Sequence, residues 1–345
     1  MGSEWKEMMR LGVSSPELLA QELNIERDSL ERVCRVYPIF INRYFLERIK
    51  ESGASLFKQV VPDPRELIDQ NGIDDPLSES NYSPVRCIVH RYEDRALFLV
   101  STTCAVFCRF CTRKRMIGRA RQIRDEELKE GIDYIKSHKE IKDVLISGGD
   151  PLVLSNERLE WIIARVREIH HVDIIRIGTR VVSVLPQRIE ISLIEMLKKY
   201  HPIYINVHFN HPDEINHEVE EACGLLCDAG IPVGNQTVLL KGINDDPHII
   251  ATLMRRLLKM RVRPYYLHQA DLTKGTEHFR TSIETGLRII EFMTGRVSGM
   301  AIPSYVVDLP GGGGKVPVVP DYLVKKSDKR VVFRNFEGRL YTYYQ

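Results

Sequence analysis

From residue 95 onward, short apolar runs alternate with longer stretches in which apolar residues recur every three or four positions. The runs are 96–101 (ALFLVS), 143–149 (DVLISGG), 173–179 (DIIRIGT), 203–209 (IYINVHF), 231–240 (IPVGNQTVLL) and 263–269 (RPYYLHQ). Each run with its charged, helically periodic follower forms a βα unit, and six such units predict a parallel sheet with helices outside it. The runs suit strands buried on both faces. Cys, Gly-Gly-Asp, Asn/His, Gln and Asp gather at the C-terminal ends of strand after strand, where barrel enzymes place their chemistry. The predicted fold is therefore α/β, an open or partial (β/α)6 TIM-like barrel rather than a doubly wound sheet. Upstream, residues 14–50 carry helix-start signals (Ser15 then Pro16, and Asp28 before Ser29-Leu30) and apolar spacings of three and four, which predict a helical N-terminal region. Residues 62–87, rich in Pro, Asp, Asn and Ser, read as a loop-dominated connector. The tail RVVFRNFEGRLYTYY alternates about Glu337-Gly338 and predicts a short β-hairpin. The expected division is 1–90 for the helical region and connector, 91–320 for the barrel, and 321–345 for the tail.

Composition narrows the function more than the fold. With 345 residues, 43% of them hydrophobic, the chain can bury one large core. Forty-nine Lys and Arg against 47 Asp and Glu leave a formal charge of +2, too little for whole-chain binding of nucleic acid or membrane. No apolar signal segment opens the sequence and no run of 18 apolar residues interrupts it, so a cytoplasmic protein is expected. Seven cysteines in such a chain read as thiols or metal ligands rather than disulfides.

Three of those cysteines, Cys104, Cys108 and Cys111, fall in the eight residues CAVFCRFC just after the first barrel strand. Structural zinc takes four protein ligands and ordinary iron–sulfur clusters four cysteines. Cys87 is distant, and Cys34, Cys223 and Cys227 lie in predicted helices where a thiol packs as a small apolar group. Three ligands therefore suggest a [4Fe–4S] cluster with one iron open. Near the other end, Pro310 and Gly311 to Gly314 lead into Lys315. A phosphate-binding Walker loop would need Gly at Leu309 and Ser or Thr at Val316. Four glycines bring the backbone close to a ligand, and a lysine after them can form a Schiff base with pyridoxal phosphate. Seven basic residues lie between Arg109 and Arg124 (with Arg113, Lys114, Arg115, Arg119 and Arg121), and such a run could meet RNA phosphates.

The three-cysteine spacing resembles that of the radical S-adenosylmethionine enzymes, and one branch of them, the lysine 2,3-aminomutases, is similar over roughly residues 60–320. The motifs are HRYEDR, CAVFCRFCTRKR, SGGDPL, NVHFNHP, NQTVLL, DLTKGTEHFR and VDLPGGGGKVP. That resemblance implies a [4Fe–4S] cluster on Cys104, Cys108 and Cys111, S-adenosylmethionine on its open iron, and pyridoxal 5′-phosphate on the catalytic Lys315. It implies Arg91, Tyr92 and Arg95 at the cofactor phosphate, and Gly148, Gly149, Asp150, His208 and Gln236 around S-adenosylmethionine or the pyridoxal. Arg113 would take the substrate carboxylate, and Asp271 and Asp308 the far ammonium of L-lysine, giving β-lysine. Relatives acting on glutamate carry basic or amide residues in place of those acids. The resemblance further implies an external reductant such as flavodoxin or ferredoxin, and a homo-oligomer is possible. Longer members bind zinc through a cysteine-rich C-terminal extension and a cysteine where this chain has Asp246, so no zinc is expected. The length resembles a short branch that serves elongation factor P, while the Gly-rich lysine loop favours the free-lysine type. An RNA-modifying enzyme is the remote alternative, since no aromatic-basic RNA motif accompanies the basic run.

Overall fold

The computed structural model describes residues 3–119 and 122–345. Its centre is one curled sheet of nine strands in chain order: β1 (Ile88–Tyr92), β2 (Arg95–Ser101), β3 (Asp143–Gly148), β4 (Ile174–Gly178), β5 (Ile203–Val207), β6 (Val233–Leu239), β7 (Arg263–Gln269), β8 (Ser304–Leu309) and β9 (Gly314–Pro317). From β2 to β8 every pairing is parallel, each crossover carrying a helix, while β1 and β9 close the two edges antiparallel. The predicted half-barrel is present, with one more parallel strand than the six apolar runs suggested. β8 was missed because its apolar stretch SYVVDL runs straight into the glycine loop that drew attention as a binding feature.

Register explains the division of labour between the two faces. Val144, Ile146, Ile175, Ile177, Ile203 and Ile205 align across β3 to β5 and are fully buried against the helices. The alternate positions face the other way. Gly178 aligns with Asn206 and Asn206 with Gly234, and His268 aligns with Val306, two residues before Asp308 on the same face of β8. Across the last antiparallel pair, Asp308 stands directly opposite Lys315. Sheet register alone thus sets a carboxylate beside the lysine that ends the glycine loop.

The helical N-terminal region is present. Ser15 caps Pro16–Leu23 by accepting from Leu18 N, whereas Asp28 sits inside the first turn of Arg27–Val36, whose cap position is Glu26. Far from standing apart, this region covers the loop after β2: Ile41 bridges Val106, and buried Asn42 donates to the carbonyls of Ala105 and Val184 at 2.9 Å each. The tail forms a separate sheet of three strands, β10 (Leu323–Lys326), β11 (Arg330–Arg334) and β12 (Leu340–Tyr344), so the expected hairpin of β11 and β12 gains a third strand.

Candidate active site

The cysteine loop begins where β2 ends and is held from outside the barrel. Phe107 N donates to Phe40 O at 2.8 Å and Arg109 N to Gln59 O at 2.8 Å. Arg109 is a fully buried cation whose fork lies on Glu66, at 2.9 and 2.5 Å; Lys114 Nζ shares Glu66 at 2.5 Å and reaches the carbonyls of Arg109 and Gly275. One buried carboxylate on the connector thus pairs with two cations of the loop. A buried pair of this kind holds one geometry because either partner alone would be a stranded charge.

Cys104, Cys108 and Cys111 are free, partly buried thiols. Burial pushes Cys104 well up, with Asp150 and the other two thiols adding to it, and burial with Cys108 pushes Cys111 to about 11. Opposing that, Arg113 favours both thiolates, Lys114 favours Cys111, and Arg180 Nη1 donates to Cys108 Sγ at 2.8 Å. Among the described residues no three His, Cys, Asp or Glu converge as on a single metal ion. A cluster asks for something else, since each thiolate takes a different iron. Three thiols facing one another among three cations fit such a group. Arg180 was not anticipated; it also binds Gln59 and Glu214, and its Nε is buried with no partner among the described residues.

The glycines after β3 are required by the chain itself. A Cβ on Gly149 would lie 2.2 Å from Thr103 O, and one on Gly148, at φ +131°, 2.4 Å from Ser101 O. Gly149 N donates to Ser101 O and Asp150 N to Thr103 O, at 2.6 and 2.7 Å, so this turn clamps the residues just before Cys104. The Asp150 carboxylate turns inward, accepting from Leu152 N, Thr179 Oγ1, Arg180 N and Val181 N. It fixes the turn that carries Arg180 rather than presenting a free oxygen. On the open face, Asn206 Nδ2 is buried without a partner among the described residues and its Oδ1 lies 3.6 Å from where Gly234 would carry a Cβ. An orphan donor beside a glycine leaves a polar group for a bound ligand such as S-adenosylmethionine to satisfy. His208, 5.5 Å from the Phe110 ring and bonded to Asn210 Oδ1, is drawn down to about 3 by burial and by Arg180, and so is neutral. Gln236 lies partly exposed on the next strand.

Lys315 Nζ lies 2.5 Å from Asp308 Oδ2 and 3.4 Å from His268 Nδ1. Burial alone would raise Asp308, but the bond from His268 and the Lys315 charge outweigh it and hold the acid near 2. Asp271 does the reverse: burial, then the Asp308 charge, raises it to about 7. The β1 edge closes over the glycine loop. Tyr92 OH accepts from Lys315 N at 3.0 Å, Arg91 and Arg95 stack on the Tyr92 ring at 5.1 and 4.0 Å, and a Cβ on Gly314 would lie 3.2 Å from Arg91 Nη2. Two arginines beside a backbone that tolerates only glycine fit a phosphate next to Lys315. Arg113 is already engaged, its Nε 3.0 Å and Nη2 2.6 Å from Glu79 Oε1. Glu79 and His268 were not singled out from sequence; His268 stood in a quoted strand, whereas Glu79 lay in a segment read only as connector.

Most of the basic run is paired within the fold: Arg109 and Lys114 with Glu66, Arg113 with Glu79, Arg115 with Asp75 and Glu79, and Arg124 with Glu127. Arg119 lies over the Tyr37 ring, and Arg121 falls outside the described residues. Asp246 caps the helix Pro247–Lys259 by accepting from His248 N.

Against this geometry the similarities fall into place. The family model described as Radical SAM superfamily matches residues 98–253, and that described as Lysine-2,3-aminomutase matches 290–345. An L-lysine 2,3-aminomutase of Methanococcus maripaludis is 50% identical over 92% of this chain and 75% of its own. That of Clostridium subterminale is 45% identical over 99% and 84%. A glutamate 2,3-aminomutase of Clostridioides difficile is 48% identical over 91% and 75%. With such relatives matched over most of both chains, and with the three-cysteine loop following directly on β2, the chain belongs to the lysine 2,3-aminomutase family of radical S-adenosylmethionine enzymes.

Proposed function

We propose that this protein isomerises L-lysine to β-lysine, moving the amino group from C2 to C3, with a [4Fe–4S] cluster on Cys104, Cys108 and Cys111, S-adenosylmethionine at its open iron, and pyridoxal phosphate on Lys315. The observation that carries the choice of substrate is the acid pair at the C-terminal end of the sheet. Asp308 already seats an ammonium, that of Lys315, and Asp271 is buried close enough to feel the Asp308 charge. Two acids so placed favour a substrate whose far end is cationic. A second carboxylate there would add repulsion in a site where charge is poorly screened. Overall identity does not decide the matter, because the glutamate enzyme is as similar as the lysine enzymes.

Once bound, the cluster and S-adenosylmethionine supply radical removal of hydrogen from an unactivated carbon, and pyridoxal spreads the unpaired electron during migration. The residues of the chain do the rest. Lys315 anchors the pyridoxal, with Arg91, Tyr92 and Arg95 positioned for its phosphate. Arg113 offers a planar fork to the substrate carboxylate, which must share it with Glu79 or displace that residue. Arg180 donates to Cys108 Sγ, while Asn206, His208 and Gln236 would line the S-adenosylmethionine site. The whole arrangement excludes water and fixes orientation. An external one-electron donor of the flavodoxin or ferredoxin type completes the cycle. The test is a substrate panel on anaerobically reconstituted protein: lysine should turn over and glutamate should not. Faster turnover of glutamate, or lysine turnover unaffected by Asp308→Asn together with Asp271→Asn, would overturn the reading.

A further inference from the structure

We infer that His268 is the base that frees the Lys315 amine to bond with the cofactor carbonyl, and that Asp308 keeps the charge of the group constant while it does so. The inference rests on Lys315 being the pyridoxal-binding lysine, as proposed above, and adds what activates it. An ammonium seated on a carboxylate has no lone pair with which to attack a carbonyl, so a proton must leave Nζ first. Asp308 is a poor acceptor for it, being the carboxylate that the ion pair holds ionised. His268 Nδ1 is the other group in reach, 3.4 Å from Nζ and 3.5 Å from Asp308 Oδ2. Such a separation is long for a hydrogen bond at rest, and catalytic contacts commonly tighten when a ligand arrives.

The step balances without any further reactant. The N–H bond on Lys315 Nζ breaks, its electron pair stays on nitrogen, and an N–H bond forms on His268 Nδ1. Before the transfer the trio is ammonium, neutral imidazole and carboxylate; afterwards it is amine, imidazolium and carboxylate. The net charge is zero both times, so no charge is stranded in a half-buried site. Imidazolium then donates from Nδ1 to Asp308 in place of the departed ammonium.

The surroundings of His268 support a neutral resting state. Burial draws it below its ordinary range, over the opposing bond to Asp308, and the Lys315 charge adds to the lowering. The Tyr266 ring packs edge-on at 5.3 Å, and His208, itself neutral, is the titratable group nearby on the β5 side. Asp271 is close enough to feel the charges of Asp308 and Lys315.

The experiment follows Schiff-base absorbance in stopped flow after mixing pyridoxal phosphate with protein freed of it, across a range from about pH 6 to about pH 10. In the wild type the rate should rise with imidazole deprotonation and level off by neutral pH. In His268→Gln it should fall by about 100-fold near neutral pH. That deficit should close toward about pH 10, where lysines lose protons unaided. Added imidazole should restore the rate in His268→Ala. An unchanged rate in His268→Gln, or a deficit that is the same at every pH and is not rescued by imidazole, overturns the inference. Should neither variant fold, the wild-type profile decides, because a rate climbing with a single slope up to lysine deprotonation overturns it as well. A band that survives Lys315→Ala overturns the cofactor assignment itself. A band that depends on Lys315 and forms at full rate without His268 overturns the inference alone.

Discussion

Asp271 and Asp308 are the same residue type within the field of the same lysine, yet their environments drive them to opposite protonation states. Asp271 stays protonated up to about pH 7 through burial and the neighbouring Asp308 charge, which outweigh the opposing charges of Lys315 and Arg113. Unfolded, it would ionise near 4. Its folded pKa lies above its unfolded one, so its contribution to stability is complete below about pH 4 and is lost as pH rises through about 7. Asp271→Asn should therefore raise the melting temperature of substrate-free protein near pH 8, a gain that shrinks toward pH 4, as a thermal denaturation series would show. The same titration should appear in binding: ionised Asp271 attracts an ammonium, so KM for lysine should fall as pH rises through about 7, and this dependence should vanish in Asp271→Asn. Asp308 has the reverse sign. Burial alone would raise it, but the bond from His268 and the Lys315 charge hold it near 2, so its contribution persists above about pH 4 and fails toward pH 2. Asp308→Asn should cost lysine binding about 2–5 kcal/mol, read as KM or from calorimetry. The sequence marked both acids as candidates through their motifs. It left their protonation open, because that depends on which groups the fold packs beside each.

The cysteine loop owes its position to elements distant in sequence. The turn after β3 passes so close to it that Gly149→Ala would set a methyl carbon 2.2 Å from Thr103 O. Backbone cannot yield as a side-chain tip can, so iron per chain after reconstitution should drop sharply in Gly149→Ala, and stability should fall by about 1–3 kcal/mol. Glu66 acts from the other side. Arg109→Met leaves Lys114 to balance it alone, and Glu66→Gln leaves two buried cations facing an amide. Each should destabilise the protein by about 3–5 kcal/mol in denaturant unfolding, with Glu66→Gln the worse. At this scale β2 to β7 were legible because a buried parallel strand reads as a short continuous apolar run. β8 was not, its run merging with the glycine loop, and β9 carries too few apolar residues to announce an antiparallel edge.

For the molecule as a whole, the core that packs the sheet against its helices contains none of the three cluster thiols, apart from partly buried Cys108 at its margin. Changing Cys104, Cys108 and Cys111 together to Ala should thus abolish iron binding and activity yet leave the far-UV circular dichroism unchanged and unfolding cooperative; a molten protein would show that the cluster is part of the folding core. No helix among the described residues is long and apolar enough to cross a membrane, in keeping with the hydropathy of the chain. The basic run, conspicuous in sequence, faces acids for most of its length, since Glu66, Asp75 and Glu79 of the connector lie against it. What the sequence by itself determined is what depends on order and spacing: the alternation that makes the half-barrel, the cysteine triple after its first strand, and the lysine after four glycines. Only the tertiary structure decided the partners. It set Asp308 opposite Lys315 through strand register, brought His268 beside both, turned Asp150 inward, and placed Glu79 on Arg113 and Arg180 on Cys108. Such pairings join residues up to 223 positions apart, as Lys315 and Tyr92 are. A local pattern records which face a side chain takes, whereas its neighbour across a sheet or loop follows only once the chain has closed on itself.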